Sequence, residues 1–238
     1  MPRLLTNLDG RAAALLAALM VVVVALWDTP VVYPLRILVV FFHEMCHGLM
    51  AIVTGGSIVE IQVVAQEGGL ALTQGGSRFL TLSAGYLGSL VVGGVILIIA
   101  ARTHFDRPLS VVLGVILGAV TLFLVRPFIG FGFWFGLAAA AVLVLAGLKL
   151  PEQVNDILLR VVGLTSCLYA VLDIKSDVLD RPQLQSDAAM LGDLTHLPTL
   201  LWGVVWFLTA LVASVWLLLM ACQKGSSATP PAAALRAP

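Results

Sequence analysis

Runs of about twenty apolar residues follow one another along this chain, separated by short polar breaks. Crossing the hydrocarbon core of a bilayer takes about 20 such residues in a helix, and a lipid-exposed segment must satisfy its own backbone polar groups. Seven stretches qualify as candidates: Ala12 to Trp27, Val31 to Val53, Phe79 to Ala101, Leu109 to Val125, Phe128 to Leu148, Val154 to Asp173 and Leu197 to Cys222. The sequence therefore predicts an all-α polytopic membrane protein with about six to seven transmembrane helices. The count is six if the first stretch is a removed leader. Arg3 and Arg11 precede that stretch as they would in a signal peptide, but no small-x-small cleavage site follows, so it is expected to stay as an anchor. Composition agrees: 60% of the 238 residues are apolar and only 11% are charged, where a soluble domain carries about 25% charged. A soluble enzyme and a disordered chain are excluded. The balance of 13 basic and 13 acidic residues also excludes a basic nucleic-acid binder.

One break has a different texture. Thr54-Gly55-Gly56 stops the second helix, and Ser57 to Val64 is β-branched and partly alternating. Gly68-Gly69 marks a turn, Leu70 to Thr73 follows, and Gly75-Gly76 closes the stretch. This predicts a β-hairpin insertion over about 57–76. The expected organisation is a single membrane-embedded domain over 1–222, with a polar loop at about 174–196. A Ser/Ala/Pro-rich tail over 223–238 is expected to be disordered. Cys46, Cys167 and Cys222 lie in apolar runs without short spacing and read as small hydrophobes.

The second stretch contains His43-Glu44-Met45-Cys46-His47, an H-E-x-x-H pattern. On a helix, positions i and i+4 share a face, so both imidazoles can reach one ion. Neutral imidazole nitrogen suits zinc. Glu44 is close enough to take a proton from a zinc-bound water and to pass it on to a leaving amine. Three ionisable groups at mid-depth in an apolar span are costly unless they face a wet cavity or a partner. A catalytic zinc site needs a third protein ligand. His104 and His196 lie in polar loops; Asp173, at the end of the sixth apolar stretch, is the better candidate, with Asp177 four residues on as the alternative. The second and sixth stretches run in the same direction, which carries the three groups towards one membrane face.

Several segments resemble the M50B-like branch of the site-2 intramembrane metalloproteases. They are the motif itself, Leu49 to Gly56, Glu67-Gly68-Gly69, Thr73 to Gly76, Ser83 to Gly88, Leu172 to Asp177 and Ser186-Asp187-Ala188. The resemblance implies a zinc peptidase with His43 and His47 as ligands, Glu44 as base and an aspartate from a later helix as third ligand. Asp173 is followed by Ile174, where many relatives carry glycine.

The expectation is thus an intramembrane zinc metalloendopeptidase in the cell membrane, acting on a transmembrane protein substrate within the lipid bilayer. The alternative is a non-catalytic zinc-binding scaffold or adaptor; a transporter would show broken-helix repeats, and none is evident. The hairpin suggests an edge for a substrate unwound into a strand, with Gln62, Gln66 and Gln74 as candidate substrate contacts, or else a cover over the cavity mouth. Gly85, Ser89 and Gly93 form a small-residue stripe that lets another helix approach closely. Arg36, seven residues before His43, either tunes the cavity or snorkels to the interface.

Overall fold

A computed structural model describes residues 7–180 and 185–223, so the expected disordered tail, apart from Gln223, lies outside the described residues. The elements in order are α1 (Gly10–Ala25), α2 (Tyr33–Val53), β1 (Ser57–Val63), β2 (Gly69–Gln74), α3 (Arg78–Arg102), α4 (Asp106–Leu124), α5 (Phe131–Lys149), α6 (Glu152–Lys175), α7 (Asp187–Thr195) and α8 (Thr199–Ala221). Six of them, α2 to α6 and α8, are long and apolar enough to cross a membrane. The first expected span, Ala12 to Trp27, forms a helix of the same length shifted two residues earlier. Asp9 caps α1 by accepting from the Arg11 and Ala12 amides, and the helix ends at Ala25 after 16 residues. At 1.5 Å per residue this is about 24 Å, less than the roughly 30 Å hydrocarbon core.

The helices pack through small residues. A Cβ on Gly93 would lie 2.6 Å from Ser166 Oγ and 3.2 Å from the Gly163 carbonyl, and one on Gly163 would lie 2.7 Å from the Gly93 carbonyl. The α3 and α6 backbones therefore touch directly. The Ser166 hydroxyl donates to the Ser89 carbonyl at 2.8 Å. The stripe read from sequence is thus the seam of this helix pair, and its first member, Gly85, serves a different neighbour, described below.

The hairpin forms where its sequence predicts it. β1 and β2 pair antiparallel, with an irregularity between Ile58 and Glu60. Buried Ile61 and Val63 anchor β1 in the main core with Phe41, Leu117 and Leu143. The Ile61 carbonyl accepts the Arg126 amide at 2.9 Å. This uses β1's outer side, and among the described residues β2 pairs only with β1. Gly76 lets the chain leave the hairpin: its φ is +73°, and a Cβ there would lie 2.8 Å from the Ala51 carbonyl.

The polar segment after α6 is more ordered than a loop. The last turn widens into a π-helical turn at Ser176–Asp180. After residues 181–184 the chain starts α7, where the Ser186 side chain accepts the Ala189 amide and Asp187 sits in the first turn. Helix α7 ends at His196 in a left-handed conformation with φ +58°.

Candidate metal centre

Helix α2 places His43 and His47 one turn apart, as their spacing requires, with ring centres 4.7 Å apart. The acid that meets them is Asp187. Its Oδ2 lies 2.9 Å from His43 Nε2 and 3.1 Å from His47 Nε2. Among the described residues, these three form the one histidine, cysteine or carboxylate group whose ligand atoms all lie within 4.8 Å of one another. A tetrahedral zinc with arms of about 2.05 Å has ligand–ligand edges of about 3.3 Å. Two imidazole nitrogens and one carboxylate oxygen at the observed separations therefore fit such an ion and leave one corner open.

Neighbouring backbone sets the rings. The Thr81 carbonyl lies 2.7 Å from His47 Nδ1. A proton on Nδ1 donates there and leaves the Nε2 lone pair for an ion held between the ring and Asp187, the usual arrangement of a ligating histidine. Gly85 of α3 leaves the space the rings occupy: a Cβ there would lie 2.5 Å from His47 Nε2 and would also overlap His43. Burial pushes the Asp187 carboxyl towards its neutral form. The two imidazoles facing it outweigh burial and hold it below the ordinary carboxylate range.

Glu44 is 5% exposed and borders a cavity of about 630 Å³ together with His47, Asp187, Asp177, Arg78 and the backbone of β2. The β2 strand presses on Glu44 closely enough that a Cβ on Gly69 would lie 2.6 Å from Glu44 Cγ. The Ala71 backbone N–H is turned towards the same carboxylate. Asp177 also faces the cavity, and its Oδ2 accepts the Tyr86 hydroxyl at 2.5 Å. The Tyr86 ring packs edge-on against His43, with centres 4.9 Å apart.

The sequence reading assigned the third-ligand position to Asp173, or to Asp177. The structure brings neither into the His43/His47 group and puts Asp187 there instead. Asp173 lines a separate recess of about 360 Å³ with Trp27, Arg36, Gln66, Glu67 and Tyr169. The widened turn at Ser176–Asp180 takes Asp177 out of the α-helical register that would have stacked it over Asp173. The three glutamines are not in the cavity either. Gln62 donates to Glu60 at 2.6 Å, Gln66 lines the second recess, and Gln74 is exposed. The cavity wall is instead residues 69–73 of β2, with Leu82, Met190, Gln185 and Ser186. The sequence did hold one signal for Asp187: a Ser-Asp pair before Ala-Ala-Met-Leu reads as a helix start.

The sequence profile of the Peptidase M50B-like family matches residues 16–217. The chain belongs to that family. No curated protein and no solved structure matches it. The match spans α2 to α7 with the hairpin and reaches Leu217 within α8, so both halves of the candidate metal centre fall inside it. With its six apolar helices, this M50B-like chain is a multi-pass membrane protein whose His43, His47 and Asp187 could hold a metal ion.

Proposed function

We propose that the chain is an intramembrane zinc endopeptidase that hydrolyses a peptide bond of a membrane-embedded protein. The observation that carries this is the meeting of Asp187 with both imidazoles, beside Glu44, at the wall of a cavity bordered by β2, which among the described residues pairs only with β1. Membership of a peptidase family supports it. A bound zinc would be held by His43, His47 and Asp187 and would supply Lewis-acid polarisation of the scissile carbonyl.

The residues of the chain do the rest. Glu44 accepts the proton of the attacking water on a carboxylate oxygen and hands it to the departing amine. A substrate helix hides its amides, so it must unwind before cleavage. The Val64 amide bonds the Gly68 carbonyl, and the Ile61 carbonyl turns outward to Arg126. The pairs Val63–Gly69 and Ile61–Ala71 are therefore the non-hydrogen-bonded kind, and the Gly69 and Ala71 polar groups point away from β1. The Ala71 N–H already turns to Glu44, so an extended substrate segment would pair with the Gly69 groups and the Ala71 carbonyl beside it.

The test uses purified wild-type protein and Glu44→Gln in detergent, with metal quantification and cleavage of a membrane-segment substrate. One zinc in both proteins, with cleavage only in wild type, is the expected result. Equal cleavage by both removes Glu44 as the base, and zinc binding without cleavage by either favours the scaffold reading.

A further inference from the structure

Arg36 is the feature of α2 that the metal centre leaves unused. It does not snorkel: its side chain is 15% exposed, and its Nη2 lies 3.0 Å from Glu67 Oε1. Its guanidinium carbon lies 5.6 Å from the centre of the Trp27 ring. Glu67 is the turn of the hairpin, held at φ +62°, a conformation L-residues rarely adopt. Two tyrosines grip the same turn. The Tyr33 hydroxyl donates to the Ala65 carbonyl at 2.7 Å, and the Tyr169 hydroxyl lies 3.5 Å from the Glu67 carbonyl. The Arg36 ion pair and both tyrosine contacts fall on residues 65–67. Two residues further on, Gly69 lies flat against Glu44.

A turn and the strand leaving it move together. At about 3.3 Å per residue, Ala71 is about 13 Å along β2 from Glu67, so a rotation at the turn displaces the strand that borders the cavity. We propose that the Arg36–Glu67 pair is a clasp that fixes the β2 edge against Glu44, making both of them positioning residues for the substrate strand. This rests on the peptidase reading for its consequence but not for its geometry. The pair is mostly buried, so removing one partner takes from the other its 3.0 Å counterion; Arg36 keeps Asp28 at 3.9 Å. With Arg36 gone, Glu67 and Asp173 are left as two carboxylates lining one recess.

The experiment compares Arg36→Met, Glu67→Gln and the double variant with wild type, as full-length protein in detergent. Amide hydrogen exchange over residues 65–72 is the first readout, and cleavage of an internally quenched apolar peptide is the second. The clasp predicts exchange about tenfold faster in that segment with α2 unchanged, and KM raised about tenfold with kcat within threefold. It also predicts that the double variant is no worse than the poorer single one, because the two changes break one interaction. A merely structural role would lower the active fraction, and so kcat, with KM unmoved. Unchanged exchange, an unmoved KM, or effects that multiply in the double variant would each overturn the clasp. Glu67→Gln is isosteric and carries the test by itself where Arg36→Met does not accumulate. Exchange needs no activity, so an inactive wild type with a loosened turn in the variants would sink the peptidase reading and leave the clasp's geometry standing.

Discussion

Gly85→Ala gives a sharp test of the metal centre. The added Cβ would lie 2.5 Å from His47 Nε2 and 2.6 Å from His43 Cε1, where ordinary contact begins at 3.4 Å. The rings must therefore retreat by about 0.8–0.9 Å, while metal–ligand distances tolerate only about 0.2 Å. They have little freedom to do so. His47 Nδ1 is tied to the Thr81 carbonyl on the same helix as Gly85, and Tyr86 packs against His43. Zinc affinity should fall at least about 100-fold, which is about 2.7 kcal/mol. The fold should survive, because the gain in helix propensity, up to about 1 kcal/mol, offsets part of an overpacking cost of about 1–3 kcal/mol. Competition against a chelator of known affinity reads the metal term, and thermal unfolding reads the fold. Gly118→Ala on α4 is the control, since its Cβ would meet nothing nearer than Ala140 Cβ at 3.5 Å. A Gly85→Ala protein that binds one zinc as tightly as wild type would refute the assignment of these imidazoles to a metal.

Two further predictions address the acid and the bundle. Asp187→Asn should reduce zinc content far more than Asp173→Asn or Asp177→Asn does; metal analysis of the three purified variants checks it, and the opposite order would return the ligand to α6. Asn155 is fully buried and its amide donates to the Ala146, Leu150 and Pro151 carbonyls at 3.0, 3.3 and 3.1 Å, which ties the end of α5 to the start of α6. Asn155→Ala should cost about 2 kcal/mol, or roughly 4–8 °C in Tm for a chain of this size, with zinc content unchanged.

What the sequence reveals and what it hides follow from the range of each interaction. The spans are legible because each one is a single apolar run. The hairpin is legible because its β-branched alternation and its glycines are adjacent. His43, Glu44 and His47 are legible because one helical turn joins them. Asp187 is 144 residues from His43, and no local pattern ties one to the other. The position that closed an apolar run, Asp173, looked the more buried, and only the geometry shows its side of α6 facing Arg36 and Glu67. The same distance hides the roles of Thr81 and Gly85, which act through a backbone carbonyl and a missing side chain. The first span is legible in hydropathy and length alike, and at 16 residues it is the one apolar run too short to count with the six long helices.

The placement of the acid on α7 follows from where the charges have to live. Two neutral imidazoles inside an apolar helix are tolerable, whereas a carboxylate on a lipid-facing surface is costly. Here Asp187 arrives from a short helix outside the six long ones, with its charge next to the amides of that helix's own first turn. An unpaired strand edge raises the same difficulty, since an open sheet edge is not tolerated against lipid. Both are accommodated by one cavity, which Glu44, Asp177, Asp187 and the outward backbone of β2 share. A cavity wet enough to solvate those carboxylates also admits the water that hydrolysis consumes. The outward polar groups of β2 that Glu44 does not take need either that water or a second strand. In the proposed peptidase the candidate metal centre, the cavity and the outward edge of β2 are therefore one arrangement, and an extended peptide pairing with β2 would meet the other two.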